Sequence, residues 1–410
     1  MEPVKLADGV YWVGAVDWDI REFHGLGTPQ GSTYNSYLIV DEKTVLIDTV
    51  KSPETETLLG HVSKIIDPVK IDYVISNHSE YDHSGSLGRV MEAAPGATLI
   101  ASKDGVKRLE QMFHQDWNFQ AVADGEELSL GGRTLRFIYA PLLHWPETMF
   151  SYCPEDRILF SCDAFGGHVA TTERFSDKLG VPFVMPYTRS YYAFLLAAFR
   201  RAAAQVMGKI AGLDIDMIGP SHGPIWRGKD DLAALMEAYR AWTSLELEDR
   251  AVIIYGTMWG NTGHMVEAVA EGVSSGGLEA RAFNVQLTDP SEIIAGSFIS
   301  KLIMFGSPTF ESGIYPPVEA FIPYLRVPRD KHKKIAVFGS YGWSGGSIPK
   351  LTQALTAEGY EVMEEGLKVR FTPTSEELDA CREFGRRAAE WARERLAADA
   401  AGEAAAAERQ

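Results

Sequence analysis

Cysteine is scarce in this chain: three among 410 residues, Cys153, Cys162 and Cys381. An odd, widely spaced trio set in mostly apolar runs excludes a disulfide framework and points to buried thiols in a reducing compartment. No C-x-x-C pair occurs, so the chain builds neither a four-cysteine iron site nor an iron–sulfur cluster. Long apolar runs are missing too, none approaching the roughly 20 residues that span a bilayer. The opening Met1-Glu2-Pro3-Val4-Lys5 has no basic stretch followed by an apolar one, so no secretory signal is expected and the cytoplasm is the expected location. Positive charge is in deficit: Lys and Arg number 39 against 56 Asp and Glu, a formal −17. That balance argues against nucleic acid and anionic membranes as partners. There is no internal repeat and no Pro/Gly-rich linker.

What is present is ordinary globular composition, 45% apolar and 23% charged, in a length sufficient for two domains with separate cores. The densest chemistry lies in Asn77-His-Ser-Glu-Tyr-Asp-His-Ser84, just after the apolar run Ile71–Ser76. His78, Glu80, Asp82 and His83 are four metal-competent side chains in the loop leaving a strand. The plain alternative is a polar loop with solvated charges. Three distant stretches weigh against it. His144 stands in P-L-L-H-W-P, Asp163 in F-S-C-D-A-F-G and His222 in G-P-S-H-G-P, each after a strand-like segment. Any one alone reads as a capped or core residue. Together with the first loop they suffice for two metals about 3.5–4 Å apart with a bridging carboxylate, for which Asp163 and Glu80 are the candidates. A carboxylate at position 80, where dizinc hydrolases carry His, makes the site harder and suits iron better than zinc.

The H-x-E-x-D-H loop, H-W-P, D-A-F-G and S-H-G resemble the diiron domain of the flavodiiron proteins, a redox branch of the metallo-β-lactamase fold. The resemblance implies that His78, Glu80 and His144 ligate one iron, that Asp82 and His222 ligate the second, and that Asp163 bridges them. His83 matches a position that in several members points away from iron. His24 matches a residue lining the substrate pocket, and Tyr191 or Tyr192 matches another; for these three, plain packing is the competing role.

From Arg250 the character changes. The apolar Ala251–Tyr255 leads into Gly256-Thr-Met-Trp-Gly-Asn-Thr262 and then a helical stretch. A strand, a hydroxyl- and glycine-rich turn and a helix N-terminus make a phosphate cradle. The turn lacks Lys, Arg and G-K-[ST], which argues against nucleoside triphosphates. Two further strand ends carry Ser307-Pro-Thr-Phe310 and Ser340-Tyr-Gly-Trp-Ser-Gly-Gly346. Three such loops fit an FMN pocket at the switch point of a doubly wound sheet. This half resembles a flavodoxin. The likeness implies that Thr257, Met258, Trp259, Gly260, Asn261 and Thr262 surround the phosphate. Ser307, Pro308, Thr309 and Phe310 would line one side of the isoalloxazine, and Ser340, Tyr341, Gly342, Trp343 and Gly345 the other.

The expected organisation is therefore α/β throughout. A metallo-β-lactamase-like αβ/βα sandwich occupies residues 1–249, and a flavodoxin-like parallel sheet occupies 250–410. Strands are expected at Val10–Val13, Ser36–Val40 and Thr44–Asp48, helices at 53–65 and 87–94. Thr188–Met207 is expected as one long amphipathic helix, and Leu232–Leu247 as another. Residues 397–410 extend the last helix or fray. The resemblance further implies two non-haem irons and FMN, and reduction of O2 to water or of NO to N2O. It also implies an external electron donor, rubredoxin or the deazaflavin F420, and a head-to-tail homodimer or a dimer of dimers. Two competing classes share the fold: a dizinc hydrolase with an appended flavodoxin-like domain, and an electron-transfer flavoprotein whose metal domain is inert.

Overall fold

The computed structural model describes residues 2–244, 246–328 and 331–407. The chain divides into two compact units, Met1–Ser244 and Leu245–Gln410.

The first unit is built on two sheets. One holds β1 (Val4–Ala7), β2 (Val10–Trp12), β3 (Tyr37–Ile39), β4 (Val45–Ile47), β5 (Tyr73–Ser76), β6 (Thr98–Ser102) and β7 (Phe119–Val122), side by side in that order. Neighbours are antiparallel up to β4 and parallel beyond it. The second holds β8 (Glu127–Ser129), β9 (Thr134–Tyr139), β10 (Met149–Cys153), β11 (Ile158–Cys162), β12 (Met217–Pro220) and β13 (Trp226–Arg227), again in order. Alternation along the strands sorts side chains between two layers. Tyr37, Ile39, Val45, Ile47 and Ile75 join Phe137, Met149, Ile158 and Phe160 in one buried cluster between the sheets. Leu38, Leu46, Val74 and Leu99 point the other way and pack with Leu58, Val62, Leu87, Val90 and Leu109 from helices. This is the expected sandwich.

Two small pieces serve the site. Ala15–Asp17 pairs with Ser32–Tyr34, and a hairpin of Glu22–Phe23 with Leu26–Gly27 carries His24 and Gly25 at its turn. Both turn residues have positive φ, 53° and 77°, the conformation that a tight two-residue hairpin demands.

The helical stretch expected at Thr188–Met207 differs in start and in continuity. It begins as an α-helix at Val181–Tyr191 with proline in its first turn and Pro186 inside it. It widens to a π-helical turn at Tyr192–Leu196, tightens at Ala197–Phe199, and resumes as an α-helix at Arg200–Ile210. Periodicity shows an amphipathic run but not a widened turn, which changes hydrogen bonding without changing composition. The next helix is Lys229–Ser244, ending before the expected Leu247.

The second unit has a parallel sheet of β14 (Glu248–Tyr255), β15 (Glu279–Asn284), β16 (Ser300–Gly306), β17 (Lys334–Tyr341), β18 (Glu361–Val362) and β19 (Leu367–Arg370). Its order is β15-β14-β16-β17-β18, with β19 also on β17. This is the doubly wound order in which the switch point lies between the first and third strands in sequence. Ala251, Ile253, Leu302, Met304 and Ala336 pack with Met265, Val269 and Val273 of the helix Asn261–Ser275, and with Cys381, Phe384 and Ala388 of the last helix. That last helix runs Ser375–Ala407, so residues 397–407 of the expected 397–410 segment continue it, and residues 408–410 lie outside those described. Among the described residues no helix is long and apolar enough to cross a membrane.

Candidate metal centre and flavin cradle

Strand ends and one connection deliver the metal-competent side chains. β5 stops at Ser76, and His78 and Glu80 come next, before a four-residue helix, Tyr81–Ser84, that holds Asp82 and His83. That helical turn departs from the open loop expected. The Glu80 carbonyl accepts from the N–H groups of His83 and Ser84 (3.0 and 2.9 Å), which tightens the turn with Asp82 and His83 both buried. Asp163 directly succeeds β11, where Cys162 takes a left-handed backbone, φ 50°. Such a conformation costs a non-glycine residue about 1–3 kcal/mol and persists where its surroundings over-determine it. His222 lies just past β12, and His144 sits in the connection from β9 to β10.

Asp163 is the centre of the arrangement. Its Oδ2 lies 3.5 Å from His78 Nε2 and 3.6 Å from His144 Nε2. Its Oδ1 lies 3.0 Å from His83 Nε2 and 3.6 Å from His222 Nε2. Glu80 Oε2 completes the first nest, 2.9 Å from His144 Nε2 and 3.3 Å from His78 Nε2. Asp82 Oδ2 completes the second, 3.0 Å from His222 Nε2 and 3.1 Å from His83 Nε2. Cys162 also stands near His83 and Asp163, but burial and the neighbouring Asp163 charge raise its thiol pKa well above the ordinary value, against the opposing hydrogen bond that Ser221 donates to its sulfur.

Do these residues fit cations? Asp82 Oδ1, Asp163 Oδ2 and both ring nitrogens of His83 are buried without a hydrogen-bond partner. Nitrogen and oxygen atoms that crowd together yet fail to align for hydrogen bonding are what shared metal ions would satisfy. The charge balance agrees. Burial pushes His78 down, but hydrogen bonds to Glu147 and Glu80 lift it to about 10. Burial likewise opposes His83, which Asp82 and Asp163 lift to about 9. Burial favours the neutral acids, yet hydrogen bonds from His144, His24 and His78 hold Glu80 below its ordinary range, and the His83 charge does so first for Asp82 and Asp163. Without metal, protons on imidazoles stand in for the cations this anionic pocket draws.

Around the nests, His24 Nε2 lies 2.8 Å from Glu80 Oε1 and is 31% exposed, which puts it at the accessible rim. Tyr191 donates its hydroxyl to Asp163 Oδ1 at 2.7 Å. Tyr192 is not brought to the centre. Its ring packs on Tyr239 and Trp242 (both 5.1 Å) in the apolar interior, because adjacent helical residues project about 100° apart.

Two further participants carry little signal in the sequence. The His168 ring lies tilted against His222 at 4.8 Å and edge-on to Tyr191 at 4.9 Å, and its Nδ1 meets Ser32 Oγ at 2.8 Å. Burial lowers its pKa strongly, so the ring is neutral. Its one signal is a histidine in the same glycine-containing loop as Asp163. Glu147 reaches His78 Nδ1 at 2.9 Å; burial pushes it up, but hydrogen bonds from His78 and Ser79 bring it down to about 2. Its one signal is an acid directly after H-W-P.

The second unit places its candidates at strand ends. After β14, Thr257 Oγ1 accepts from Gly260 N–H at 3.1 Å, and Thr257 N–H donates to Gln286 Oε1 at 3.1 Å. Thr262 Oγ1 and Ser340 Oγ lie 2.9 Å apart, tying the first loop to the third. Gly260 caps the helix at φ 87°, and a Cβ built there would meet nothing within 4 Å. Asn261 Oδ1 accepts from Thr372 Oγ1 at 3.2 Å. Ser307 Oγ donates to the Pro308 carbonyl and accepts from Tyr315 N–H, while Thr309 Oγ1 donates to Ser347 Oγ. Gly345 is left-handed at φ 62° beside the Tyr341 ring, and Gly342 abuts Phe371. Trp259 and Trp343 are 88% and 84% exposed, with Met258 and Phe310 also exposed. Open space at a helix N-terminus, ringed by exposed aromatics, suits a phosphorylated planar ring system. Gln286 and Tyr315, bonded to each other at 3.0 Å, join this rim without a sequence signal.

Comparison with known proteins agrees with both halves. A model described as ODP family beta lactamase matches residues 33–223, and a flavodoxin model matches 253–385. The chain is 41% identical over 394 residues to a nitric oxide reductase of Moorella thermoacetica, covering 95% of this chain and 98% of that one. Among solved structures it is similar to the rubredoxin oxygen:oxidoreductase of Desulfovibrio gigas (TM-score 0.90, 35% identity, 97% and 100% covered). It is also similar to the flavodiiron protein from Giardia intestinalis (TM-score 0.92, 33% identity, 97% and 98% covered).

Proposed function

The chain belongs to the flavodiiron protein family, and we propose that it is an oxidoreductase reducing O2 to water, NO to N2O, or both. Electrons reach its non-haem diiron centre through FMN from an external donor. The observation that carries this reading is the two-sided environment of Asp163, each carboxylate oxygen facing a different pair of imidazoles. We assign His78, Glu80 and His144 to one iron, Asp82, His83 and His222 to the other, and Asp163 to the bridge. His83 is included because its Nε2 lies 3.0 Å from Asp163 and 3.1 Å from Asp82, against 3.6 and 3.0 Å for His222. Thr257 to Thr262 are assigned to the FMN phosphate, and the loops at Ser307–Phe310 and Ser340–Gly345 to its ring.

When bound, the iron pair supplies one-electron steps and open positions for a diatomic substrate, and FMN supplies a two-electron store. The chain's own residues do the rest. Glu80 in place of an imidazole hardens the first nest against zinc. Tyr191 fixes the rotation of Asp163, so both oxygens stay directed at their nests. Phe23, edge-on to His24 at 4.3 Å and to His222 at 5.6 Å and against His168 at 4.6 Å, sets an apolar ring beside the second nest. Reducing O2 to water consumes a proton for each electron, and His24, bonded to Glu80 at the accessible rim, is placed to pass them.

Three finer points belong to the same proposal. The donor is rubredoxin, the partner named for the similar protein of Desulfovibrio gigas; a deazaflavin donor is the competing outcome. The assembly is a head-to-tail homodimer or a pair of such dimers, with flavin and iron exchanging electrons between subunits. The location is cytoplasmic, where three free, buried cysteines persist. The dizinc hydrolase reading is not favoured, because Glu80 and the flavodoxin half have no part in it.

The deciding experiment measures iron and FMN per chain, then mixes reduced protein with O2 and with NO in a stopped-flow instrument. Rapid flavin re-oxidation by at least one gas is expected. Iron-loaded, reduced protein that is inert to both would sink the reading.

A further inference from the structure

His78 and His222 present the same atom to the metal side but hold their other nitrogen differently. His222 Nδ1 meets a neutral acceptor, the Thr33 carbonyl, at 2.6 Å. His83 Nδ1, in the same nest, is buried without a partner. His78 Nδ1 meets a carboxylate, Glu147 Oε1, at 2.9 Å. With Nε2 committed to the metal side, the ring proton sits on Nδ1 and is donated to Glu147. Glu147 is firmly placed: Ser79 Oγ donates to the same oxygen at 2.6 Å, and Ser102 Oγ donates to the Glu147 carbonyl at 2.7 Å.

The other oxygen, Oε2, is buried as well and faces Arg108. Arg108 Nε lies 3.1 Å from it, an ion-pair contact and not an aligned hydrogen bond. Arg108 belongs to the helix Lys103–Phe113, its side chain is 40% exposed, and its guanidinium stands 5.8 Å over the Trp145 ring. Trp145 in turn is edge-on to His78 at 4.9 Å. A line of charge thus runs from a solvent-reached cation through a buried anion to a ligand of the first nest.

We propose that Glu147 and Arg108 form a charge-tuning pair that makes the two irons inequivalent. This inference rests on the diiron reading above. A carboxylate pulling on the Nδ1 proton makes His78 a stronger electron donor and favours the oxidised state of the iron it holds. A carbonyl behind His222 does so less. Arg108 opposes the effect by drawing the Glu147 charge outward. The two residues are positioning residues, acting through His78, and they should push the same quantity in opposite directions.

The test is an EPR-monitored redox titration of the full-length holoprotein, reading the gap between the two iron midpoint potentials. Glu147→Gln should narrow the gap and weaken iron retention about 10-fold. Arg108→Ala should widen the gap without loss of iron, and Arg108→Lys should restore it. If Glu147→Gln does not fold, Arg108→Ala, a change at a half-exposed site, decides alone. Shifts in the same direction, or none with Arg108→Ala, overturn the proposal while leaving the diiron reading intact. A wild type that holds no iron pair overturns both.

Discussion

The two units solve the same problem, holding a redox group, by opposite means. In the first, the site is made of buried side chains from well-separated segments, each pinned by another. In the second, it is made of loops on adjacent strands of one sheet, with the large side chains of Trp259 and Trp343 left standing in solvent. The metal nests are closed by charge: remove one partner and a buried ion is left uncompensated, which is strongly destabilising. The flavin cradle is closed by backbone, where one lost hydroxyl is one lost hydrogen bond. Sensitivity to substitution should therefore differ sharply between them.

Asp163→Asn is the severest way to break that contrast. It should abolish retention of the iron pair and O2 or NO turnover while FMN content stays at the wild-type level, read by metal analysis and flavin absorbance. Joint loss of flavin would mean the two sites are not separable. Iron removal by chelation comes next. It should lower the thermal transition of the first unit by several degrees and leave the second unchanged, by mass-action linkage. The raised imidazoles set the sign with pH. In the metal-free chain their stabilisation is full below about 6.5. It is lost as pH climbs through about 9 and about 10, the values for His83 and His78. Alkaline pH should thus widen the gap between chelated and loaded protein, measured by calorimetry.

Replacing Thr257 and Thr262 together by Ala should sharpen the contrast from the other side. FMN binding should weaken by about 1–3 kcal/mol for each hydrogen bond lost, with iron content untouched. Equilibrium dialysis of the flavin checks it. Smallest is Tyr191→Phe, which removes one charge-assisted hydrogen bond to Asp163, about 1.5–3 kcal/mol at most. Iron should remain, with slower turnover and a changed EPR signature of the pair. An unaltered spectrum would mean the phenol does not orient the bridge.

How much of this is legible without coordinates depends on where each residue's partner lies in the chain. The nests are visible because His78, Asp163 and His222 come after apolar strands, and strand ends converge by topology. The doubly wound half is visible for the same reason, three strand ends with glycine and hydroxyl loops. Glu147 and His168 are not, because each works through a residue far away in sequence, Glu147 touching His78 and His168 touching Ser32. The choice between Tyr191 and Tyr192 is closed to sequence as well. It turns on helical phase, and Pro186 and the widened turn at Tyr192–Leu196 set that phase in ways no periodicity records.

That widened turn has a consequence of its own. A single surplus residue there acts as a clutch between two stretches of rod: the N-terminal stretch is aimed at the bridge, the C-terminal one at the apolar interior. Substitutions that re-pack Arg200–Ile210 can then accumulate without dragging Tyr191 off Asp163. Deleting one residue from the turn would swing everything beyond it by roughly a third of a revolution and force one of those two allegiances to be given up.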